Sequence, residues 1–69
     1  MYDQDANARQ LLAASLDIRA TRADEEVKMH EEAAADVCRG ADQRALARER
    51  ADRARQKAAK LRARAAALD

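Results

Sequence analysis

The chain has 69 residues with 39% charged, 1% aromatic and no proline, and its formal net charge is +1. A domain of this length buries little apolar surface and is marginally stable alone, while a charge near zero makes no overall case for nucleic acid or membrane binding. No apolar run approaches the roughly 18 residues of a membrane span, so we expect no membrane partner. The mixture of Ala, Arg, Glu, Asp, Gln and Leu is typical of helices and coiled coils.

The first residues, Met-Tyr-Asp-Gln-Asp, lack the basic and apolar regions of a secretory signal, and we interpret residues 1–5 as an N-terminal tail. The only cysteine, Cys38, has no partner for a disulfide within the chain, so a cytoplasmic location is expected. The abundance of Ala and the excess of Arg over Lys favour a bacterial or phage source.

Residues 6–39 are predicted to form an acidic first helix. Small and apolar residues recur at spacings of three and four, which is the heptad seam of a coiled coil. This first seam consists of Ala13, Leu16, Ala20, Ala23, Val27, His30, Ala34 and Val37. The flanking residues are mainly acidic, namely Asp17, Asp24, Glu26 and Glu31, against the single cation Arg19.

The only glycine, Gly40, predicts a turn at residues 40–42. Glycine readily takes the left-handed conformation that ends many helices, Asp42 is a good N-cap, and Arg39 would favour the last turn of the first helix. Because glycine inside a helix costs only about 1 kcal/mol, one continuous helix about 100 Å long is an alternative. A segment that folds only on its target is another.

Residues 43–68 are predicted to form a basic second helix. Its seam is Ala47, Ala51, Ala54, Ala58, Leu61, Ala65 and Leu68. Its six flanking positions between residues 48 and 64 are all basic: Arg48, Arg50, Arg55, Lys57, Arg62 and Arg64. The two parts of the chain therefore carry opposite charge beside their seams.

Folding the chain about the Gly40–Ala41 bond brings the two seams together layer by layer, with Ala20 opposite Leu61 and Leu16 opposite Ala65. The same register predicts the ion pairs Glu31–Arg48, Asp24–Arg55, Asp17–Arg62 and Glu26–Lys57, and one like-charge pair, Arg19–Arg64. The sequence thus predicts an all-α fold in one domain, an antiparallel helical hairpin with an Ala-rich coiled-coil seam.

An alanine seam buries little surface per residue, so the hairpin needs further packing. Apolar residues outside both seams gather near the end opposite the turn: Leu11, Leu12, Ile18, Ala59, Ala63, Ala66 and Ala67. We interpret them as an interface for a second copy or another protein, with a homodimeric four-helix bundle as the simplest closed form. Packing of these side chains on their own helix is the alternative.

Two side chains that could carry chemistry, His30 and Cys38, have no accompanying motif in the sequence. His30 occupies a seam position, where a structural role is favoured over a pH-sensitive or metal-binding one. Cys38 lies near the turn without a second histidine or nucleophile motif. Since there is also no glycine-rich phosphate loop, we expect no catalytic residue, cofactor or metal site, and no enzymatic activity.

The expected function is therefore protein–protein interaction or assembly, through self-association or docking on a partner. The alternative is a nucleic-acid-binding regulator that uses the basic second helix, because phosphate contacts give sequence-independent affinity. Arg53 and Lys60 are the candidate contacts, since they point outward and have no assigned acidic partner. No aromatic residues interleave with the cations, which argues against single-strand binding.

Overall fold

The protein is an antiparallel hairpin of two α-helices in the computed structural model, which describes residues 4–68. Helix α1 spans Gln4–Ala35 and helix α2 spans Ala41–Ala66. Together they form a rod with extents of 61 × 14 × 10 Å. The predicted all-helical hairpin is confirmed, and the alternative of one continuous helix is wrong.

The two predicted seams meet along the middle of the rod. The buried residues are Leu16, Ala20, Ala23, Val27, Ala47, Ala51, Ala54, Ala58 and Leu61. Leu16, Ala20 and Leu61 form one cluster with Ala65 and Leu68 packed against it, which contains the layers expected from the register. Six of the nine residues buried within residues 4–68 are alanine, so the helices approach closely but bury little apolar area.

The first seam ends earlier than its spacing predicts. Val37 is 83% exposed because α1 stops at Ala35, two residues before it. His30 and Ala34 are only half-buried beside the turn, and Ala13 is half-buried near the other end. On α1 the buried residues therefore run only from Leu16 to Val27, whereas on α2 burial continues to Ala47 near the turn.

Gly40 does not take the left-handed conformation that the sequence suggests. Its φ and ψ are −65° and 157°, an extended conformation, and no residue from 4 to 68 has positive φ. Gly40 is the N-cap of α2 without a side-chain capping bond, and Asp42 lies in the first turn of that helix. The prediction of Asp42 as the N-cap is therefore wrong.

Asp36 forms the turn instead. The backbone N–H of Cys38 donates to Asp36 Oδ1 at 2.9 Å, and the N–H of Arg39 donates to the Asp36 carbonyl oxygen at 3.1 Å. An Asp side chain that bonds the backbone two residues ahead competes with helix propagation, so α1 ends at Ala35. Arg39 lies in the turn, with its Nε 3.4 Å from Asp36 Oδ2, and not in the last helical turn.

The helix limits differ from the predicted limits by a few residues. Residues 1–3 of the predicted tail lie outside the described residues, while Gln4 and Asp5 are helical. At the other end α2 stops at Ala66, and the Ala67 N–H still donates to the Ala63 carbonyl at 3.0 Å. Over residues 4–68, neither helix has the length and apolar character to cross a membrane.

Candidate functional site

The hairpin has two broad faces with different charge. An α-helix turns about 100° per residue, so the residues just before and just after a seam residue project to opposite sides. The paired face is formed by residues that follow a seam position, including Asp17, Asp24, Lys28, Glu31, Arg48, Asp52, Arg55 and Arg62. The basic face is formed by residues that precede one, including Arg19, Arg22, Glu26, Arg50, Arg53, Lys57, Lys60 and Arg64.

Charges on the paired face neutralise one another across the helices. Arg62 donates through Nη1 to Asp24 Oδ1 at 3.2 Å and through Nη2 to Oδ2, a two-point contact. Arg55 Nη2 lies 3.3 Å from Glu31 Oε2, and its Nη1 donates to Asp52 Oδ1 at 2.7 Å. The hydrogen bonds from Arg62 lower the pKa of Asp24 below its ordinary value of 3.8, and the same contact raises the pKa of Arg62.

The predicted partners on this face are shifted by one heptad. Asp24 pairs with Arg62 and not with Arg55, and Glu31 pairs with Arg55 and not with Arg48. Side chains on a helix lean toward its N-terminus. In an antiparallel pair, Glu31 and Arg55 therefore lean toward each other, whereas residues at directly facing backbone levels lean apart. Asp17 still contributes electrostatically to Arg62 but does not form the predicted ion pair.

On the basic face, cations gather without carboxylate partners. One groove is lined by Arg19, Arg53, Gln56, Lys57, Lys60, Leu61 and Arg64. None of these cations forms an ion pair within residues 4–68, and the predicted Glu26–Lys57 pair is not formed. The like-charged residues Arg19 and Arg64 line the same groove, as the register predicts.

The residues of the predicted interface are exposed at the open end, the end of the rod opposite the turn. Leu11 is 73% exposed, Leu12 46% and Ile18 56%. Ala59, Ala63, Ala66 and Ala67 are also exposed. Because of the helix periodicity, the residues of the predicted interface lie on different sides of the rod and do not share one face. Ala59 and Ala66 follow seam residues and join the paired face, while Leu12 and Ala67 precede seam residues and join the basic face.

A second exposed apolar pair, which the sequence reasoning missed, lies beside the turn. Met29 is 59% exposed and Leu46 43%, and both line a groove with the half-buried His30. The sequence signal was available, because neither residue falls on a seam. The described residues contain no group of three or more His, Cys, Asp or Glu placed to hold a metal ion, and Cys38 is exposed in the turn.

The fold and its surfaces together define a small helical hairpin with two charged faces and an exposed apolar end. Comparisons with protein families, curated proteins and solved structures find no match to this chain. Its function is therefore inferred from the charges, burial and contacts of the hairpin itself.

Proposed function

We propose that the protein is a non-enzymatic assembly module that self-associates through the open end of its hairpin. The observation that carries this proposal is the exposure of Leu11 and Ile18, one heptad apart on α1, while only three buried residues among residues 4–68 are larger than alanine. Contiguous exposed apolar surface favours association. Burying it supplies the packing that the alanine seam lacks.

A second copy of the hairpin offers small residues at the level where α1 exposes a large one. Leu16 shares a cluster with Ala65, so Ile18 lies at about the level of Ala63 across the hairpin. A two-fold axis along the rod would place α1 of one copy on α2 of the other at that same level. The large side chain of Ile18 would then pack against the small residues Ala59, Ala63 and Ala66 of the partner, Leu11 would lie beside the end of the partner's α2, and each contact would occur twice.

Electrostatics favours the paired face as the inner side of this four-helix bundle. On that face Asp24 and Glu31 already have cationic partners within their own hairpin, and the remaining charges Asp17, Lys28 and Arg48 are of both signs, so contact between two paired faces does not gather charges of one sign. Two basic faces brought together would place unpaired cations against one another. In the proposed dimer both basic faces therefore point outward.

The double substitution Leu11→Ser and Ile18→Ser tests this assembly. In sedimentation velocity we expect the native chain to have the mass of two copies and the variant that of one, with lower helical circular dichroism because the bundle completes the core. The matched control is Met29→Ser with Leu46→Ser, which removes two exposed apolar side chains at the turn end. A monomeric native chain, or a variant that keeps the dimer mass, would overturn the proposal.

A further inference from the structure

The two faces of the hairpin differ sharply in net charge. The paired face carries four carboxylates and four cations within the described helices, and two of its ion pairs, Asp24–Arg62 and Glu31–Arg55, cross from α1 to α2. The basic face carries seven cations in the same helices, and its only helical carboxylate is Glu26. Hence the cations of α2 fall into two groups: those on the paired face, among which Arg55 and Arg62 form ion pairs with α1, and those on the basic face, which do not.

The cations of α2 on the basic face form a straight row. Its members on α2 each immediately precede a seam residue, at alternating spacings of three and four: Arg50, Arg53, Lys57, Lys60 and Arg64. At 1.5 Å per residue this row is roughly 21 Å long. Arg19 joins it from α1, since it lines the same groove as four of the five.

This row is not explained by the stability of the hairpin. Its cations form no ion pairs among residues 4–68, and like charges gathered in one groove repel each other. We propose that the basic face binds the phosphate backbone of double-stranded nucleic acid without reading its sequence. This inference does not require self-association, because the basic face is open in a single hairpin and points outward in the proposed dimer.

A duplex backbone fits the row in length and in charge. Each strand of B-form DNA carries a charge about every 3.4 Å along the axis, so a row of this length spans roughly six phosphates. Backbone contacts position a protein without specifying bases. Tyr2 is the only Phe, Trp or Tyr of the chain, and the one ring in the described helices is the half-buried His30 beside the turn, so the row itself has no ring on which unpaired bases could stack.

A membrane surface fits the row less well. Interfacial helices combine their cations with exposed large apolar side chains that enter the acyl region. Between Arg50 and Arg64 the only large apolar residue in the groove is Leu61, which is 4% exposed and packed in the core. The groove therefore attracts an anionic membrane by charge but has no apolar anchor, and the exposed apolar residues of the basic face, Leu12, Met29 and Leu46, lie outside it.

Fluorescence anisotropy with labelled duplexes of about 20 base pairs tests the inference. We expect binding to duplex DNA, duplex RNA or both at low salt, with the two arms separating B-form from A-form backbones. The logarithm of the affinity should fall linearly with the logarithm of salt concentration. Arg53→Gln with Lys60→Gln should weaken binding to every sequence and reduce the salt slope by about two, one for each phosphate that is no longer neutralised.

The matched control is Lys28→Gln with Arg48→Gln, which removes two cations from the paired face and changes the net charge equally. Circular dichroism checks that both variants keep the helical fold. The inference is overturned by absence of binding to either duplex at low salt, by equal losses in the two variants, or by equally tight binding to phosphatidylserine vesicles. Sedimentation of the same samples reports self-association separately, so failure of one proposal is distinguishable from failure of the other.

Discussion

Asp36 is the residue that decides where the chain turns. Its side chain accepts the Cys38 N–H and contacts Arg39, and the Cys38 N–H is the main reason that the pKa of Asp36 lies below its ordinary value. Gly40 was the more conspicuous signal in the sequence because it is unique. Yet an Asp side chain also favours a turn by bonding the backbone two residues ahead, and here Asp36 forms that bond.

Gly40 can be replaced because nothing in its conformation requires glycine. Its extended φ and ψ are open to any residue, and a Cβ built on it meets no atom within 4 Å. We expect Gly40→Ser to raise the free energy of unfolding by about 0.5–1 kcal/mol, because serine caps the first turn of α2 and restricts the unfolded chain. Urea unfolding, followed by circular dichroism at equal protein concentration, measures the change.

Gly40→Ala is the matched control for the serine variant. It restricts the unfolded chain similarly but offers no capping oxygen, so it should be less stable than the serine variant. If Gly40→Ser instead destabilises the protein, the glycine is in the left-handed conformation in solution and the turn differs from the one described.

Between the helices, the sequence predicts the seam and the charged residues that flank it, but not which of these charged residues form ion pairs. The seam depends only on spacing, and burial of Ala20, Ala54 and Leu61 follows it. Ion pairing depends also on the direction in which long side chains lean, and this direction shifted each acidic residue by one heptad to the next arginine. The direction in which the side chains lean also follows from the sequence, because it is fixed once the helices are predicted to be antiparallel.

The contact of Asp24 with Arg62 makes stability depend on pH in acid. Because the folded protein lowers the pKa of Asp24 below 3.8, the unfolded chain binds the proton more readily. This contribution is present above pH 3.8 and is lost as the pH falls through the folded pKa. We expect the melting temperature to fall with pH in that window, and to fall less steeply in Asp24→Asn and in Arg62→Gln.

Combining the two substitutions in one chain isolates the contact. If Asp24 acts through Arg62, the double variant should have the same acid dependence as either single variant. Asp36 retains its own contribution, so the dependence becomes shallower without vanishing. Arg48→Gln is the control, since Arg48 forms no ion pair in the part of the chain that the structure describes. A change in Arg48→Gln as large as that in Arg62→Gln would contradict the observed pairing.

At the scale of the whole molecule, the sequence predicts that the hairpin needs further packing, which stays a prediction, and it does not predict which face would provide that packing. The net charge of a sequence segment does not show the difference in charge between the two faces. Arg48 and Arg50, for example, are two residues apart in sequence but lie on opposite sides of the rod. Only pairing across the helices distinguishes cations that are neutralised from those left on the basic face. That distinction determines which face can turn inward in a dimer.

The direction of the two-fold axis can be measured through Cys38, the only cysteine and an exposed residue in the turn. An axis along the rod puts both turns at the same end, whereas an axis perpendicular to it puts them at opposite ends of a rod 61 Å long. With a nitroxide on Cys38, double electron–electron resonance should give a distance below half the rod length. Dilution with unlabelled chain should reduce that signal, and the Leu11→Ser, Ile18→Ser variant should abolish it. A distance near the full rod length would contradict the proposed packing of α1 on the partner's α2 while leaving self-association itself in place.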